Sequence, residues 1–271
     1  MNKKKRISRF LLATVAVILI VLPLYFMFIA GFMSVSEIQK RPLYLLPPNP
    51  SLEYYRQAWK SMKPYLRNSV ILALSTSALT LILAPLSAFG LARFRLKVNS
   101  LVYGLIYILQ ILPGVSMITP LFLVFYKIGL INNRLSVILA LTAFQIPFAS
   151  LILSNFMKAI PDELFESAML DGAGPFRLFW NIALPLSKPA LATVGLFAFM
   201  AGWGDLLISL TFLQKQHLQP ASVGMALFSS IFGTQWNLMM AAGVYYAMIP
   251  ILASLVASKY FVAGFLAGAF K

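Results

Sequence analysis

The sequence predicts an all-α, polytopic membrane protein with six transmembrane helices. Of its 271 residues 60% are apolar and 11% are charged, and the mean hydropathy is +0.84. Soluble domains do not have this composition. The apolar residues fall in runs of about 20 or more, the length that crosses the hydrocarbon core of a bilayer. The net charge of +15 arises from basic residues that flank these runs, where they meet anionic lipid, so we do not expect nucleic-acid binding.

Six apolar stretches are long enough to span the membrane. The first follows the basic start MNKKKRISR and could be mistaken for a secretory signal. It is about twice the length of a signal peptide's apolar region and lacks a clear small-residue cleavage site, so we predict an uncleaved span. The predicted spans cover approximately residues 10–33, 68–92, 100–126, 135–157, 188–213 and 238–261. Ser51 should cap a short helix at about residues 52–60, and Gly202 and Gly204 should give the fifth span flexibility.

The distribution of positive charge predicts the orientation. If the N-terminus is cytoplasmic, the larger share of the 22 Lys and Arg residues falls on the cytoplasmic side. An even number of spans then places both termini in the cytoplasm. Four spans precede residues 158–187, so that segment is cytoplasmic too. The basic cluster beside the first span contributes most to this assignment: Lys3, Lys4, Lys5, Arg6 and Arg9.

The residue inventory argues against several kinds of chemistry. The chain has no cysteine, and its single histidine, His217, rules out a two-histidine metal site within it. There is no G-x-x-x-x-G-K-[ST] phosphate loop, so we expect no ATP to be held by that route. We predict no catalytic residues, no metal site and no cofactor bound by this chain.

A polar island at residues 166–185, reading ESAMLDGAGPFRLFWNIALP, separates two apolar runs. Pro161 suits a helix start, and Asp162 with Glu163 places negative charge at the positive end of the helix dipole. Asp171-Gly172 should end this helix, and Pro175 should begin a second one. We therefore predict a bent helical pair that forms a docking surface. The alternative is an amphipathic helix that merely lies on the membrane.

The island resembles the EAA motif of ABC-importer membrane subunits, with Ser167 standing where the pattern has Ala. In that family the motif forms the loop that sits in a cleft of the cytoplasmic ATPase subunit. The resemblance implies that this segment, here called the EAA loop (residues 158–187), couples the chain to an ATPase. The implied coupling residues are Glu166, Ser167, Ala168, Asp171, Gly172, Ala173, Phe179, Ile182, Leu184 and Pro185.

Other stretches are similar to the carbohydrate branch of these importers, the maltose-type permeases and especially their second, MalG-like subunit. They are WGDLLISLTFL, GTQWNLMMAAGVYYAMIPILASL and the ending KYFVAGFLAGAFK. The end of the second predicted span, AFGLARFRLK, resembles the way the importer family as a whole finishes this helix. The resemblance implies a type I, MetI-like permease bundle in the bacterial cytoplasmic (inner) membrane. Residues 1–67 would form the N-terminal tail, the first span and an external loop, and residues 68–271 the permease core. Gln235 departs from the pattern, because many relatives have an acidic residue there.

The same resemblance implies function and partners. The chain would form half of a translocation pathway for di- or oligosaccharides. A homologous permease subunit would complete a heterodimer, and an extracytoplasmic binding protein would deliver the sugar. Two ABC subunits would bind ATP and Mg²⁺ and supply the energy. A permease for a non-sugar solute is the first alternative.

Polar groups within the predicted spans are candidates for the substrate path. Aromatic rings beside polar groups suit a sugar site, because sugar C–H faces stack on rings while hydroxyls need fixed hydrogen-bond partners. Asp205 could line the path or could be a structural carboxylate, and an ion-coupled secondary transporter using Asp205 is a further alternative. The candidates are Gln110, Gln145, Asn155, Trp203 and Asp205.

Overall fold

The computed structural model describes residues 3–94, 99–230 and 233–268, without the side chains of 3–9, 227, 230, 233 and 260–268. The basic cluster at the N-terminus, Arg95, Lys97 and the last three residues therefore lie outside the described side chains. The α-helices in chain order are α1 Lys3–Ala30, α2 Val35–Ile38, α3 Glu53–Arg93, α4 Asn99–Ile111, α5 Ile118–Lys127, α6 Arg134–Lys158, α7 Asp162–Leu170, α8 Pro175–Leu178, α9 Leu184–Leu186, α10 Lys188–Gly204, α11 Leu207–Phe212, α12 Ala221–Gly224 and α13 Trp236–Gly268.

Shorter elements connect these helices. Turns of 3₁₀ helix cover Gly114–Met117, Gln216–Leu218 and Met225–Phe228, and a π-helical segment covers Phe179–Ala183. Strand structure in the described residues is limited to a small antiparallel hairpin, in which β1 (Ser229–Ser230) pairs with β2 (Gly233–Thr234). The all-α fold class is confirmed with this minor addition.

Four helices are long and apolar enough to span a membrane: Phe10–Ala30, Glu53–Arg93, Arg134–Lys158 and Trp236–Lys259. Two bent helix pairs pass the same test. Asn99–Ile111 and Gly114–Lys127 are bent by 96°, and Pro175–Leu186 and Lys188–Gly204 by 78°. Six spans result if each bent pair is counted as one, which agrees with the predicted number. The first bend lies at Pro113-Gly114, where the sequence interrupts the third predicted span.

Two predicted spans have the wrong extent. The second was expected at 68–92, after a separate short helix near residues 52–60, but α3 runs without a break from Glu53 to Arg93. Ser51 does cap its start, because its hydroxyl oxygen accepts the Glu53 N–H at 3.2 Å. The fifth was expected to be continuous from 188 to 213, but α10 ends at Gly204 and α11 starts only at Leu207. The Asp205 carboxylate binds backbone amides at this break.

The described residues form two compact units. One contains residues up to 66 and 224–249, and the other contains residues 67–223 and those from 250 onward. The predicted division at residue 67 rests on membrane topology and stays a prediction. Within the first unit, Tyr55 is the centre of an aromatic cluster: its hydroxyl donates to the Phe28 carbonyl at 2.7 Å, and the Tyr245 hydroxyl donates to the Tyr55 carbonyl at 3.3 Å.

The segment after α1 is held by a capping box. The Ser34 hydroxyl accepts the Glu37 N–H while the Glu37 carboxylate accepts the Ser34 N–H at 2.8 Å. The Asn49 side chain also donates to Glu37 at 3.0 Å. The Ser34 amide and the Asn49 side chain together hold the pKa of the Glu37 carboxyl below its ordinary value.

The second unit has two apolar cores. One joins Phe89 of α3, Met157 of α6 and Val194 of α10 with Phe165 and Phe179 of the EAA loop. The other is built around Leu72, Phe125, Val137, Phe212 and Leu213. The EAA loop is therefore packed into the helices of this unit.

Asn68 holds the segment after α11 in place by hydrogen bonds. The Asn68 side chain is 3% exposed and donates to the carbonyls of His217 and Gln219, each at 2.9 Å. Arg134 in turn donates to the side-chain oxygen Oδ1 of Asn68 at 2.8 Å. His217 is exposed, as expected for a solvated loop residue.

Gly202 allows α10 to lie directly on the backbone of α3. A Cβ at position 202 would be 2.7 Å from the Ala73 Cα and 3.1 Å from the Leu72 carbonyl oxygen. Both atoms belong to the backbone and cannot rotate away. A Cβ at Gly204, two residues later, would meet nothing within 4 Å. We had expected both glycines to give flexibility, but Gly202 is required for close packing.

We predict that Gly202→Ala destabilises the protein and Gly204→Ala does not. The extra methyl at 202 overpacks a backbone contact, which costs about 1–3 kcal/mol. Thermal unfolding of the detergent-solubilised protein, followed by light scattering or tryptophan fluorescence, would measure the difference. Equal melting temperatures for the two variants would contradict the close contact between α10 and α3.

Candidate functional site: the EAA loop

The first half of the EAA loop is the short helix α7. Pro161 precedes it with extended backbone, and Asp162 and Glu163 occupy its first turn as predicted. Phe165 is 4% exposed and points into the apolar core, while Glu166 and Ser167 lie on the exposed side. One face of α7 is thus packed on the apolar core, and its opposite face is exposed.

The end of α7 is determined by Gly172, whose φ is +81°. The Ala173 N–H donates to the Ala168 carbonyl at 2.9 Å, and the Gly172 N–H donates to the Met169 carbonyl at 3.0 Å. This pair of hydrogen bonds is a Schellman motif, which requires the left-handed conformation that glycine adopts without strain. The predicted helix end at Asp171-Gly172 is confirmed.

The second half of the loop is helical from Pro175 onward, again as predicted. Gly174 caps α8 and Pro175 is its first residue. The helix then widens into the π-helical segment Phe179–Ala183 before α9. Such π bulges are rare in proteins as a whole, and those that occur often lie at functional sites. Here the bulge includes Phe179 and Ile182 of the motif.

The motif residues divide between two faces. Phe179 is 5% exposed, and its ring packs edge-on against Phe89 of α3 with centroids 5.4 Å apart. The half-buried motif residues are Ala168, Ala173, Ile182 and Leu184, and the exposed ones are Glu166, Ser167, Asp171, Gly172 and Pro185. The apolar motif positions face the protein interior, while the polar positions and the turn face outward.

The exposed side of the loop also carries large apolar side chains that the motif does not specify. Leu170 is 90% exposed, Phe176 is 75% exposed, and Met169 and Trp180 are about half exposed. These side chains lie on both sides of the Gly172 turn. Exposed apolar groups rimmed by polar residues mark interaction sites. The sequence analysis missed Leu170 and Phe176 because they occupy free positions of the motif.

The EAA loop is attached to the end of α3 by Arg93. The Arg93 guanidinium donates to the Met157 carbonyl at 2.6 Å and the Ile160 carbonyl at 2.8 Å, and it forms a salt bridge with Asp162. It also lies 3.7 Å from the centroid of the Phe165 ring. A cavity of about 420 Å³ adjoins this cluster and is lined by Arg93, Asp162, Phe165, Glu166, Met169 and Leu178, among others.

The five substrate-path candidates differ in their surroundings. Gln110 and Asn155 are exposed, and Gln145 is half-buried. Trp203 is 2% exposed and lies parallel to the Phe199 ring. The described structure does not gather these side chains around one cavity, so their role in a substrate path stays a prediction.

Asp205 has a clear structural role. Its carboxylate accepts the Ser209 N–H at 2.7 Å and the Ile208 N–H at 3.4 Å. Its backbone carbonyl accepts the Ser222 hydroxyl at 2.5 Å. The first amides of a helix lack partners within the helix, and an Asp carboxylate is a preferred acceptor for them. These contacts favour the interpretation of Asp205 as a helix-capping carboxylate over an ion-coupling site.

These features define the class of protein: a multi-pass membrane protein with an exposed loop between packed helices. The chain belongs to the family described as "Binding-protein-dependent transport system inner membrane component", whose model matches residues 81–269. It is 31% identical to a melibiose/raffinose/stachyose import permease protein, MelC, of Bacillus subtilis (strain 168), over 100% of this chain and 98% of MelC.

A second relative supports the family assignment, and a solved structure supports the fold. The chain is 30% identical to an sn-glycerol-3-phosphate transport system permease protein, UgpE, of Yersinia pestis bv. Antiqua (strain Antiqua), over 92% of each chain. A chain of a bacterial ABC transporter that imports the acidic polysaccharide alginate superposes with a TM-score of 0.83 at 19% identity, covering 96% of this chain and 99% of that one. The predicted importer-permease fold is confirmed.

We predict that Gly172→Ala destabilises the turn of the EAA loop while Gly174→Ala does not. Alanine at φ +81° costs about 1–2 kcal/mol, whereas Gly174 has an ordinary φ of −75°. Hydrogen exchange of the α7 amides, measured by mass spectrometry, should become faster in Gly172→Ala alone. Equal exchange in both variants would contradict the Schellman turn.

We also predict opposite outcomes for two substitutions of Asp205. Asparagine keeps a capping oxygen, so Asp205→Asn should retain stability and transport. Asp205→Ala loses the cap and should cost about 1 kcal/mol of stability. Thermal unfolding and uptake assays would measure both effects. Loss of uptake in a stable Asp205→Asn variant would restore the ion-coupling interpretation.

Proposed function

We propose that this chain is one of two membrane-spanning subunits of an ATP-driven, binding-protein-dependent importer for a di- or oligosaccharide. The observation that carries the proposal is the architecture of the EAA loop. Its motif residue Phe179 is buried against Phe89 of α3, and the helices on either side of its turn present Glu166, Leu170 and Phe176 outward. A loop that is rigidly held and exposes apolar side chains is suited to receive a partner protein.

The partner that fits this surface is an ABC ATPase subunit. The chain contains no G-x-x-x-x-G-K-[ST] sequence, so the nucleotide and its Mg²⁺ would be bound by partner subunits. Two such subunits would close on ATP and move the EAA loops of this chain and of a homologous permease. The paired bundles would then open outward, accept substrate from an extracytoplasmic binding protein, and return after hydrolysis.

Two kinds of observation support a sugar as substrate. The relative MelC is an import permease protein for melibiose, raffinose and stachyose, which are neutral sugars. The predicted spans also lack Lys and Arg at their apolar centres. A neutral sugar needs no counter-charge in the membrane, whereas an anion would gain from one.

A small phosphorylated polyol is the second candidate substrate class. It is favoured by the 30% identity to UgpE, which belongs to an sn-glycerol-3-phosphate transport system. Stimulation of ATP hydrolysis in the reconstituted complex would distinguish the two. We expect stimulation by a member of the series melibiose, raffinose and stachyose. Stimulation by sn-glycerol 3-phosphate alone would overturn the sugar assignment.

The proposed orientation places both termini and the EAA loop in the cytoplasm of a bacterial cell. The positive charge beside the first span and the even number of spans support it. A cysteine at Gln214, which is exposed and separated from the EAA loop by α10 and α11, should then be accessible from outside the cell.

We predict that a cysteine at Leu170 crosslinks to an ATPase subunit in native membranes. The chain has no native cysteine, and Leu170 is 90% exposed beside the turn. A short bifunctional thiol reagent followed by mass spectrometry would identify the product. Gln214→Cys is the matched control and should give no ATPase adduct. Adducts of Leu170→Cys with lipid or with itself alone would contradict the docking role.

A further inference from the structure

We propose that Arg93 is a positioning residue that makes α7 move as one rigid body with α3 and α6. The inference rests on the proposed function, because it explains how movement of the EAA loop reaches the spans. It assigns a role to a side chain outside the coupling motif. The residues involved all lie in the same compact unit.

Arg93 is placed where three helices meet. It is the last residue of α3, and its guanidinium reaches the end of α6 and the start of α7. Met157 lies in the last turn of α6, and Ile160 lies two residues beyond the end of that helix. Carbonyl groups at a helix C-terminus have acceptor capacity that the helix itself does not fill, and the guanidinium donates to both of these carbonyls. The planar guanidinium fork presents its donors in fixed directions to two such acceptors and to a carboxylate at once, whereas a lysine carries its three donors on a single nitrogen atom.

The surroundings of Arg93 restrict its movement. Its side chain is only 12% exposed, whereas the side chain of its partner Asp162 is 69% exposed. The Phe165 ring covers the guanidinium at 3.7 Å and is itself anchored in the apolar core. The exposed salt bridge should therefore contribute little, while the buried carbonyl contacts and the ring contact should hold the joint.

The consequence is mechanical. Residues 159–161 separate α6 from α7, and Pro161, which directly precedes α7, has a non-helical backbone with φ −54° and ψ 136°. The chain connection alone would therefore act as a hinge. Arg93 contacts residues on both sides of this connection, Met157 in α6 and Asp162 and Phe165 in α7. A force on the exposed turn at Gly172 is then transmitted to α3 and α6 instead of being absorbed at Pro161.

The experiment measures movement within the reconstituted complex. Spin labels at Glu163→Cys on α7 and at Leu74→Cys on α3, both exposed, report the distance between the loop and a point about 29 Å along α3 from Arg93. Pulsed EPR would be recorded without nucleotide and after trapping with ATP and vanadate. With Arg93 present we expect one narrow distance distribution that is the same in both states.

Three variants test whether Arg93 is what keeps α7 at a fixed distance from α3. Arg93→Gln should shift or broaden the distribution on trapping, while ATP hydrolysis stays within about threefold of the unsubstituted complex. Arg93→Lys should give an intermediate shift, and it replaces Arg93→Gln if that variant does not assemble. Asp162→Asn is the matched control and should behave like the unsubstituted chain, because it removes only the exposed ion pair.

Two results would overturn the proposal. One is an unchanged, narrow distribution in both Arg93 variants after trapping, and the other is an equally large shift in Asp162→Asn. If the proposed function itself is wrong, the unsubstituted chain will not copurify with an ATPase subunit, and this result differs from both of those above. A merely structural role for Arg93 would lower the amount of assembled complex without altering the distance in the complexes that form.

Discussion

The structure depends on one constraint: wherever a helix of this apolar chain ends or breaks, its free backbone amides and carbonyls must find partners. Neither hydrocarbon nor a packed protein interior supplies water to satisfy them. Asp205 supplies the acceptor for the amides at the start of α11, and Arg93 supplies donors for the carbonyls at the end of α6. Most of the charged groups in this chain flank the spans, but these two are placed where the backbone needs them.

This constraint explains why helix breaks lie in the segment to which we assign the coupling role. A continuous apolar helix satisfies its own backbone and offers a partner nothing but side chains. A break exposes directional groups, and these can hold an adjacent segment in one position. The EAA loop follows the break after α6 and contains two more, at Gly172 and in the π-helical segment Phe179–Ala183. Its shape is therefore determined by named hydrogen bonds and does not depend on the bilayer.

The sequence predicted the features that follow from residue type at a fixed position. Gly172 ends α7, Pro175 begins α8, and Ser51 caps α3, because glycine, proline and serine each have one strong local preference. The number of spans follows from apolar length in the same way. The roles assigned to the motif residues are contacts with other chains, so they remain predictions.

Features that depend on tertiary contacts could not be predicted. Gly202 looks like a flexible glycine in sequence, and only the position of Ala73 at 2.7 Å shows that it is a packing contact. The continuity of α3 from Glu53 to Arg93 was missed because Pro64 and several polar residues separate its first part from the apolar run, yet the helix continues through them. Asp205 was left open for the same reason, since its amide partners become neighbours only once α10 has ended.

The division of the EAA loop into a buried and an exposed face has a consequence for coupling. If Phe179 were exposed and Leu170 buried, the loop could bind a partner but would have little hold on α3. With Phe179 against Phe89, and with Phe165 and Asp162 against Arg93, the loop is attached at two separate points. Two points of attachment resist rotation as well as translation, which one point cannot do. The exposed face can therefore be short and can vary at its free positions, because the stiffness required to transmit movement resides in the inner face.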